Sequence, residues 1–176
     1  FLTGASTCFA KGFQPPSKGK AVVYFVRVTK YAKMTSFEYF HQDKYIGVFK
    51  GQNYLRYECD PGKNLLWVST ENKEFVTADL KEGGTYIVIV DVSMGAMKAR
   101  VGLTPVTDKD TEFDRAKEII LAQEPIITPE EKIAEMNIKL ADFIKEKLLL
   151  YETEWKLTEN FKHISPEMAI PENAIN

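Results

Sequence analysis

Histidine is almost missing from this chain, with His41 and His163 the only two among 176 residues. Any Ser-His-Asp or Cys-His relay has to be built around one of them. Cysteine is equally scarce: Cys8 and Cys59 lie far apart and match no metal-ligand spacing. No run of 18 apolar residues occurs, so no segment reads as a membrane-spanning helix. Lys and Arg (23) are balanced by Asp and Glu (25), and no basic cluster is evident, so a nucleic-acid partner is not expected. The G-x-S-x-G elbow, the P-loop, the G-x-G-x-x-G turn and the H-E-x-x-H pair are all absent. His41 beside Asp43 reads as a surface histidine at a turn rather than a metal pair. Glu58 and Asp60 read as solvated carboxylates at a strand end. These absences point to a non-enzymatic protein with no catalytic residues, no metal and no cofactor.

What the chain does have is apolar substance, at 44% of residues, and an uneven charge distribution. Residues 1–108 carry 14 basic and 10 acidic side chains, residues 109–176 carry 9 and 15. The first ten residues (FLTGASTCFA) are uncharged and rich in small side chains. With Cys8-Phe9-Ala10 placing small residues at −3 and −1 of a cleavage point, they resemble the tail of a secretory signal peptide. Lys11–Gly19 follows as a polar Pro/Gly linker, so residues 1–19 are assigned to signal remnant and linker. A disulfide between Cys8 and Cys59 is allowed but not required; Cys59 also reads as a small buried hydrophobe.

Residues 20–108 read as a β unit. Ala21–Val28 is β-branched and aromatic without a helical period. Phe37–Gln42 and Lys44–Phe49 flank a turn at Asp43, and Tyr54–Cys59 alternates in period two. Asp60-Pro61-Gly62 breaks that strand with turn chemistry and predicts a tight turn between two paired antiparallel strands. Leu65–Thr70, Glu74–Leu80, Tyr86–Val92 and Lys98–Val106 complete seven or eight short strands, with a second turn at Lys81–Gly84. Regular short strands without intervening helices predict a mainly β fold: an antiparallel β-sandwich.

At Asp108 the pattern turns helical. Thr111 and Asp114 form an approximate capping box, with Phe113, Ala116, Ile119 and Ile120 on one face and Pro125 as the stop. Thr128 as N-cap, Pro129 at N1 and Glu131 at N3 restart it. Ile133, Met136, Leu140, Phe143, Ile144, Leu148, Tyr151 and Trp155 then recur at helical steps. One long amphipathic helix is expected to about residue 158, about 45 Å at 1.5 Å per residue. Residues 109–162 are thus a helical extension. Its stripe should meet mainly the sheet, and its distal end, Tyr151, Trp155 and Phe161, should overhang as a partner interface. Residues 163–176 read as an extended tail.

Fourteen of the 21 aromatics lie between Phe13 and Tyr86. Period-two strands send alternate side chains to opposite faces, so Tyr39, Tyr45, Tyr54, Tyr57 and Trp67 are candidates for an exposed ligand-binding platform. The competing reading places them in the core or under the helices.

Several segments, in order, resemble a bacterial domain family of unknown function found in exported proteins and lipoproteins, distantly like PEGA-type surface domains. They are Val22-Val23-Tyr24-Phe25-Val26-Arg27, then Asp43-Lys44-Tyr45-Ile46-Gly47, then Tyr54-Leu55-Arg56-Tyr57 leading into Asp60-Pro61-Gly62-Lys63. Glu82-Gly83-Gly84-Thr85-Tyr86 and Val92-Ser93-Met94-Gly95 with Ala99-Arg100 follow. Asp43-Lys44 departs from the family, which has Gly at that turn. The resemblance covers about half the chain and implies an exported β-sandwich without catalytic residues. Three functional readings result: an envelope module that binds a protein or glycan or serves an assembly, a carbohydrate-binding module using exposed Tyr and Trp, and a hydrolase with an unrecognised site. The expected location is the periplasm or cell surface, with membrane association or a homo-oligomer through the long helix as further expectations.

Overall fold

The computed structural model describes residues 10–176. The signal-like start and Cys8, and with it the disulfide reading, lie outside the described residues.

All eight strands inferred from the sequence are present: β1 Ala21–Val26, β2 Ser36–His41, β3 Lys44–Lys50, β4 Tyr54–Cys59, β5 Gly62–Ser69, β6 Lys73–Leu80, β7 Thr85–Met94 and β8 Ala99–Val106. A ninth, β9 Lys162–Ile164, comes from the tail. They form two sheets, ordered β4-β1-β7-β8 and β3-β2-β5-β6-β9. Both sheets are mixed, which corrects the antiparallel expectation: β1 runs parallel to β7 and β9 parallel to β6. A parallel pair needs a long crossover, and helices are not the only way to make one. Between β1 and β7 the crossover is made by β2 to β6, most of which belong to the other sheet.

The Asp60-Pro61-Gly62 turn is corrected in the same way. It does not close a hairpin, because β4 pairs with β1 and β5 pairs with β2 and β6. It carries the chain from one sheet to the other, and Gly62 supplies the left-handed conformation for it at φ 92°.

Four layers result. The inner faces share one core, with Val23, Phe25 and Val88 from the first sheet and Phe37, Tyr39 and Leu66 from the second. The first sheet's outer face (Val22, Tyr24, Tyr54, Ile87) is covered by α1 Phe113–Ala122 through Phe113, Ala116, Ile119 and Ile120. These are the four residues that the periodicity picked out. The second sheet's outer face (Phe40, Tyr45, Trp67, Phe75) is covered by α2 Glu130–Lys139, α3 Ala141–Leu150, a π-helical turn Tyr151–Trp155 and α4 Lys156–Thr158.

The long helix is therefore segmented. It breaks at Leu140, whose φ −98° and ψ 7° leave the helical region. Every residue of the expected stripe, from Ile133 to Trp155, nevertheless faces the sheet. Thr128 does not cap α2. Its hydroxyl accepts from the Val48 amide at 3.0 Å, and Asn137 bonds both the amide and the carbonyl of Tyr45. These two side chains satisfy the free edge of β3, which would otherwise be a site for foreign strands.

The tail is extended in part, through β9, and ordered. Ile164 is buried in the central core and Ile170 under the first sheet, so two apolar anchors 6 residues apart hold it down. The linker is also docked: the Ser17 amide donates to Glu58 at 2.8 Å, and Phe13 packs 5.2 Å from Tyr24.

Candidate binding cleft

The platform expectation is overturned for four of its five rings. Tyr39, Tyr54 and Trp67 are 0% exposed and Tyr45 is 1% exposed. Tyr39 stacks on Phe49 inside the central core, at 5.0 Å and 7°. Tyr54 lies under α1 and donates its hydroxyl to the Gln123 carbonyl at 2.8 Å. Tyr45 meets Phe40 edge-on beneath α2. Trp67 stacks on Phe40 at 3.9 Å and donates its indole N–H to Gln42. Tyr57 is half-buried and bonded to His41, at 2.7 Å from Nδ1. Both faces of both sheets are covered, so alternation puts no ring in water.

The expected partner interface is not an overhang either. Tyr151 stacks on Phe75 at 4.5 Å, and Trp155 and Phe161 lie 5.9 and 5.4 Å from the same ring. The π-helical turn carrying Tyr151 and Trp155 has more residues per turn than an α-helix, a distortion that recurs at functional sites.

Trp155 and Phe161 are only partly covered by Phe75. Their remaining surface walls a cleft of about 350 Å³ between the β5–β6 turn, β8 and the end of the helical layer. Three cations converge there: Lys73 from β6, Arg100 from β8 and Lys147 from α3. The ammonium groups of Lys73 and Lys147 lie 5.8 and 5.3 Å from the centre of one ring, Phe143. Burial, and then the nearby Lys147 and Lys98, push the Lys73 ammonium below its ordinary value. A bound anion would relieve that repulsion.

Three carboxylates, Glu71, Glu74 and Glu159, also line the cleft, Arg100 lies 3.9 Å from Glu71, and Lys147 pairs with Glu146 at 2.7 Å. Glu71 accepts the backbone N–H groups of Ala96, Met97 and Lys98 at 3.0, 2.9 and 2.6 Å, and these bonds hold its carboxyl below the usual range. Glu74 is pushed up by burial, toward its neutral form. With Glu71 held by backbone amides and Glu74 raised toward its neutral form, the three cations outweigh Glu159 beside the aromatic wall, a combination that suits an anionic ligand with an apolar face.

Sequence reasoning found Trp155 by its periodicity and Phe161 as the distal end of the helical extension but missed Lys73, Arg100 and Lys147. They come from three segments, and no local spacing links them. His41 and His163 are not brought together: His41 bonds Tyr57 and Asn64, His163 bonds Thr77 at 2.7 Å. Among the described residues no cluster of three or more His, Cys, Asp or Glu is placed to hold a metal. No helix among them is long and apolar enough to cross a membrane.

No family model matches the chain, and no curated protein matches it.

Proposed function

We propose that this protein is a non-enzymatic binding module of the bacterial cell envelope, and that its ligand is an acidic glycan seated in the Lys73–Arg100–Lys147 cleft. One observation carries the reading: three cations from separate segments converge beside Trp155 and Phe161 in a cleft of about 350 Å³. A sugar ring presents an apolar face to an indole, while its carboxylate or sulfate meets the cations. The sequence supports export through the small-residue start and the resemblance to exported domains. Under this reading the two mixed sheets are a β-sandwich of that kind, extended by helices on both outer faces. Glycan recognition shifts from the buried Tyr and Trp cluster to the helical rim.

The chain holds two tryptophans, Trp67 and Trp155, and Trp67 is fully buried. Ligand contact is therefore read as a change in Trp155 emission. An oligouronate should quench or shift it, and a neutral oligosaccharide of the same length should not. Lys73→Ala with Lys147→Ala should abolish the response while the fold survives. Equal response to neutral and acidic chains, or an undiminished response in the double variant, would sink the reading.

A further inference from the structure

The seven connections between β1 and β8 divide between two ends of the β unit. Val26 of β1 lies beside Ile89 of β7 in a parallel pair, so both strands leave toward the same end. β2 starts there, since Ser36 pairs with the last residue of β3, Lys50, and β5 ends there at Ser69 opposite Glu38. The connections at this end are therefore residues 27–35, 51–53, 70–72 and 95–98. They contain Arg27, Lys30, Lys33 and Lys98 against one carboxylate, Glu71. The connections at the opposite end are residues 42–43, 60–61 and 81–84. They contain Asp43, Asp60 and Glu82 against one cation, Lys81. The connections are polarised, basic at one end through the exposed Lys30, Lys33 and Lys98, since Arg27 is buried. Lys44, Lys63 and Lys20, the last paired with Asp60, nevertheless also stand at the acidic end.

Four of the nine exposed large apolar side chains among the described residues stand at the basic end; the other five, Leu121, Ile127, Ile138, Leu149 and Leu157, are spread over the helical segments and their connections. Met34 is 70% exposed, Met94 78% and Met97 94%, with Tyr31 at 46%. Scattered exposed apolar residues are ordinary; here two stand on the loop after β1 and two at the end of β7 and its hairpin, all toward the same end. Both connections are held in shape from within. Glu71 takes the three tip amides of the β7–β8 hairpin, which turns Met97 and Lys98 outward and uses the one carboxylate present. Arg27 donates to the carbonyls of Tyr31, Ala32 and Thr35 and so shapes the loop that presents Lys30, Lys33 and Met34.

We infer that this end of the protein docks on an anionic phospholipid surface, with Met34, Met94 and Met97 entering the headgroup layer and Lys30, Lys33, Lys50 and Lys98 pairing with lipid phosphates. The charge complementarity selects a negatively charged bilayer over a neutral one. The exposed thioethers select a bilayer over a soluble polyanion, which offers them no apolar layer. The cleft opens beside the hairpin, since Glu71 both lines the cleft and caps the tip. Docking would hold the cleft close to the membrane surface, though the docking does not depend on what the cleft binds.

The test is co-sedimentation of the full chain with phosphatidylcholine vesicles, with and without phosphatidylglycerol. Binding should require the anionic lipid and weaken at high salt. Each lysine near such a surface is worth about fivefold in partitioning, so Lys30→Ala with Lys33→Ala should lose about 25-fold. Met34→Ser with Met97→Ser should lose roughly tenfold at unchanged charge. The Lys73→Ala, Lys147→Ala protein, which tests the cleft, should lose less than the Lys30, Lys33 pair, because its cations stand beside the docking face rather than on it. All four replaced tip residues are solvent-exposed, so unfolding does not confound them. Equal binding to neutral vesicles would overturn the inference, as would indifference to the lysine pair. So would a methionine pair that changes nothing while dextran sulfate competes fully, because that marks simple polyanion capture.

Discussion

The guanidinium of Arg27 lies 4.4 Å above the centre of the Phe37 ring, fully buried, with no ion-pair partner among the described residues. Its two terminal nitrogens donate to backbone, Thr35 O at 2.7 Å, Ala32 O at 2.6 Å and Tyr31 O at 3.1 Å, while Nε has no partner among the described residues. Those carbonyls belong to a loop strained enough to hold Ala32 at φ 49°. Replacing Arg27 by Met keeps the volume but leaves three inward carbonyls unmet. The cost should be about 3 kcal/mol, because bonds to a charged group exceed neutral ones and unmet buried acceptors are penalised. Urea unfolding measures the loss, and limited proteolysis should cut first within residues 30–35. A variant as stable and as resistant as the wild type would show that the loop holds itself.

Tyr39 gives the opposite sign. Its hydroxyl is buried in the central core and finds no hydrogen-bond partner among the described residues. An unpartnered buried hydroxyl costs free energy, and burial raises the phenol's pKa accordingly. Tyr39→Phe should leave stability unchanged or increase it by about 1 kcal/mol while keeping the stack on Phe49. A loss above about 1 kcal/mol in thermal or chemical melts would reveal a partner for that hydroxyl.

The contrast between strands and site marks what the sequence discloses. Strand positions were readable because turn chemistry is local: Asp43, Pro61-Gly62 and Gly83-Gly84 stop strands wherever the chain goes next. Which strands pair was not, since the same Pro-Gly signal serves a hairpin or a step between sheets. Face assignment stayed open between platform and core for a different reason. Alternation assumes one wet face, yet every residue of β1 from Ala21 to Val26 is buried, because helices cover the outer sides. Trp67 carries no local mark that distinguishes a core ring from a platform ring. The cleft was unreadable because Lys73, Arg100 and Lys147 meet only after both sheets and the helical layer have assembled.

His41 should make stability depend on pH. Asn64 donates its amide to the carbonyls of Asp60 and Gly62, so its oxygen must accept from His41 Nε2, at 2.8 Å. That leaves Nδ1 to accept from the Tyr57 hydroxyl, at 2.7 Å, and this neutral tautomer is fully satisfied. Burial is the main cause holding the imidazole below its ordinary value of 6.5. The unfolded chain therefore takes up the proton first as pH falls. The contribution is complete above about 6.5 and is lost on acidification through the window beneath it. Glu38 and Glu74, both raised by burial, act in the opposite direction at lower pH. The measurement is thus the wild type minus His41→Gln, followed by thermal melts from pH 7.5 to 5. A difference that does not shrink on acidification would refute the assignment.

Gly62 tests the step between the sheets. A Cβ built there meets nothing within 4 Å, so any penalty comes from the backbone at φ 92°. Gly62→Val should lose about 1–3 kcal/mol through strain, and Gly62→Asn less, since Asn tolerates positive φ better. If Val and Asn cost the same, backbone conformation is not the cause.

The last prediction separates the two aromatic residues of the π-helical turn, which the sequence treats alike. Tyr151 is 7% exposed and stacks on Phe75 at 4.5 Å, in line with the column that runs through Trp67 to Phe40. Trp155 reaches Phe75 at 5.9 Å and keeps part of its surface for the cleft. Truncating a buried aromatic removes its transfer energy and leaves a cavity, so Tyr151→Ala should cost about 3–5 kcal/mol. Trp155→Ala removes a ring already partly in water and should cost roughly half as much. Neither variant should make the melting temperature depend more on protein concentration, because the stripe is covered by the protein's own sheet rather than by a second chain. Melts of both variants across a wide concentration range decide the matter. A steep concentration dependence in the wild type that Trp155→Ala abolishes would restore the partner interface and remove the cleft's aromatic wall from service.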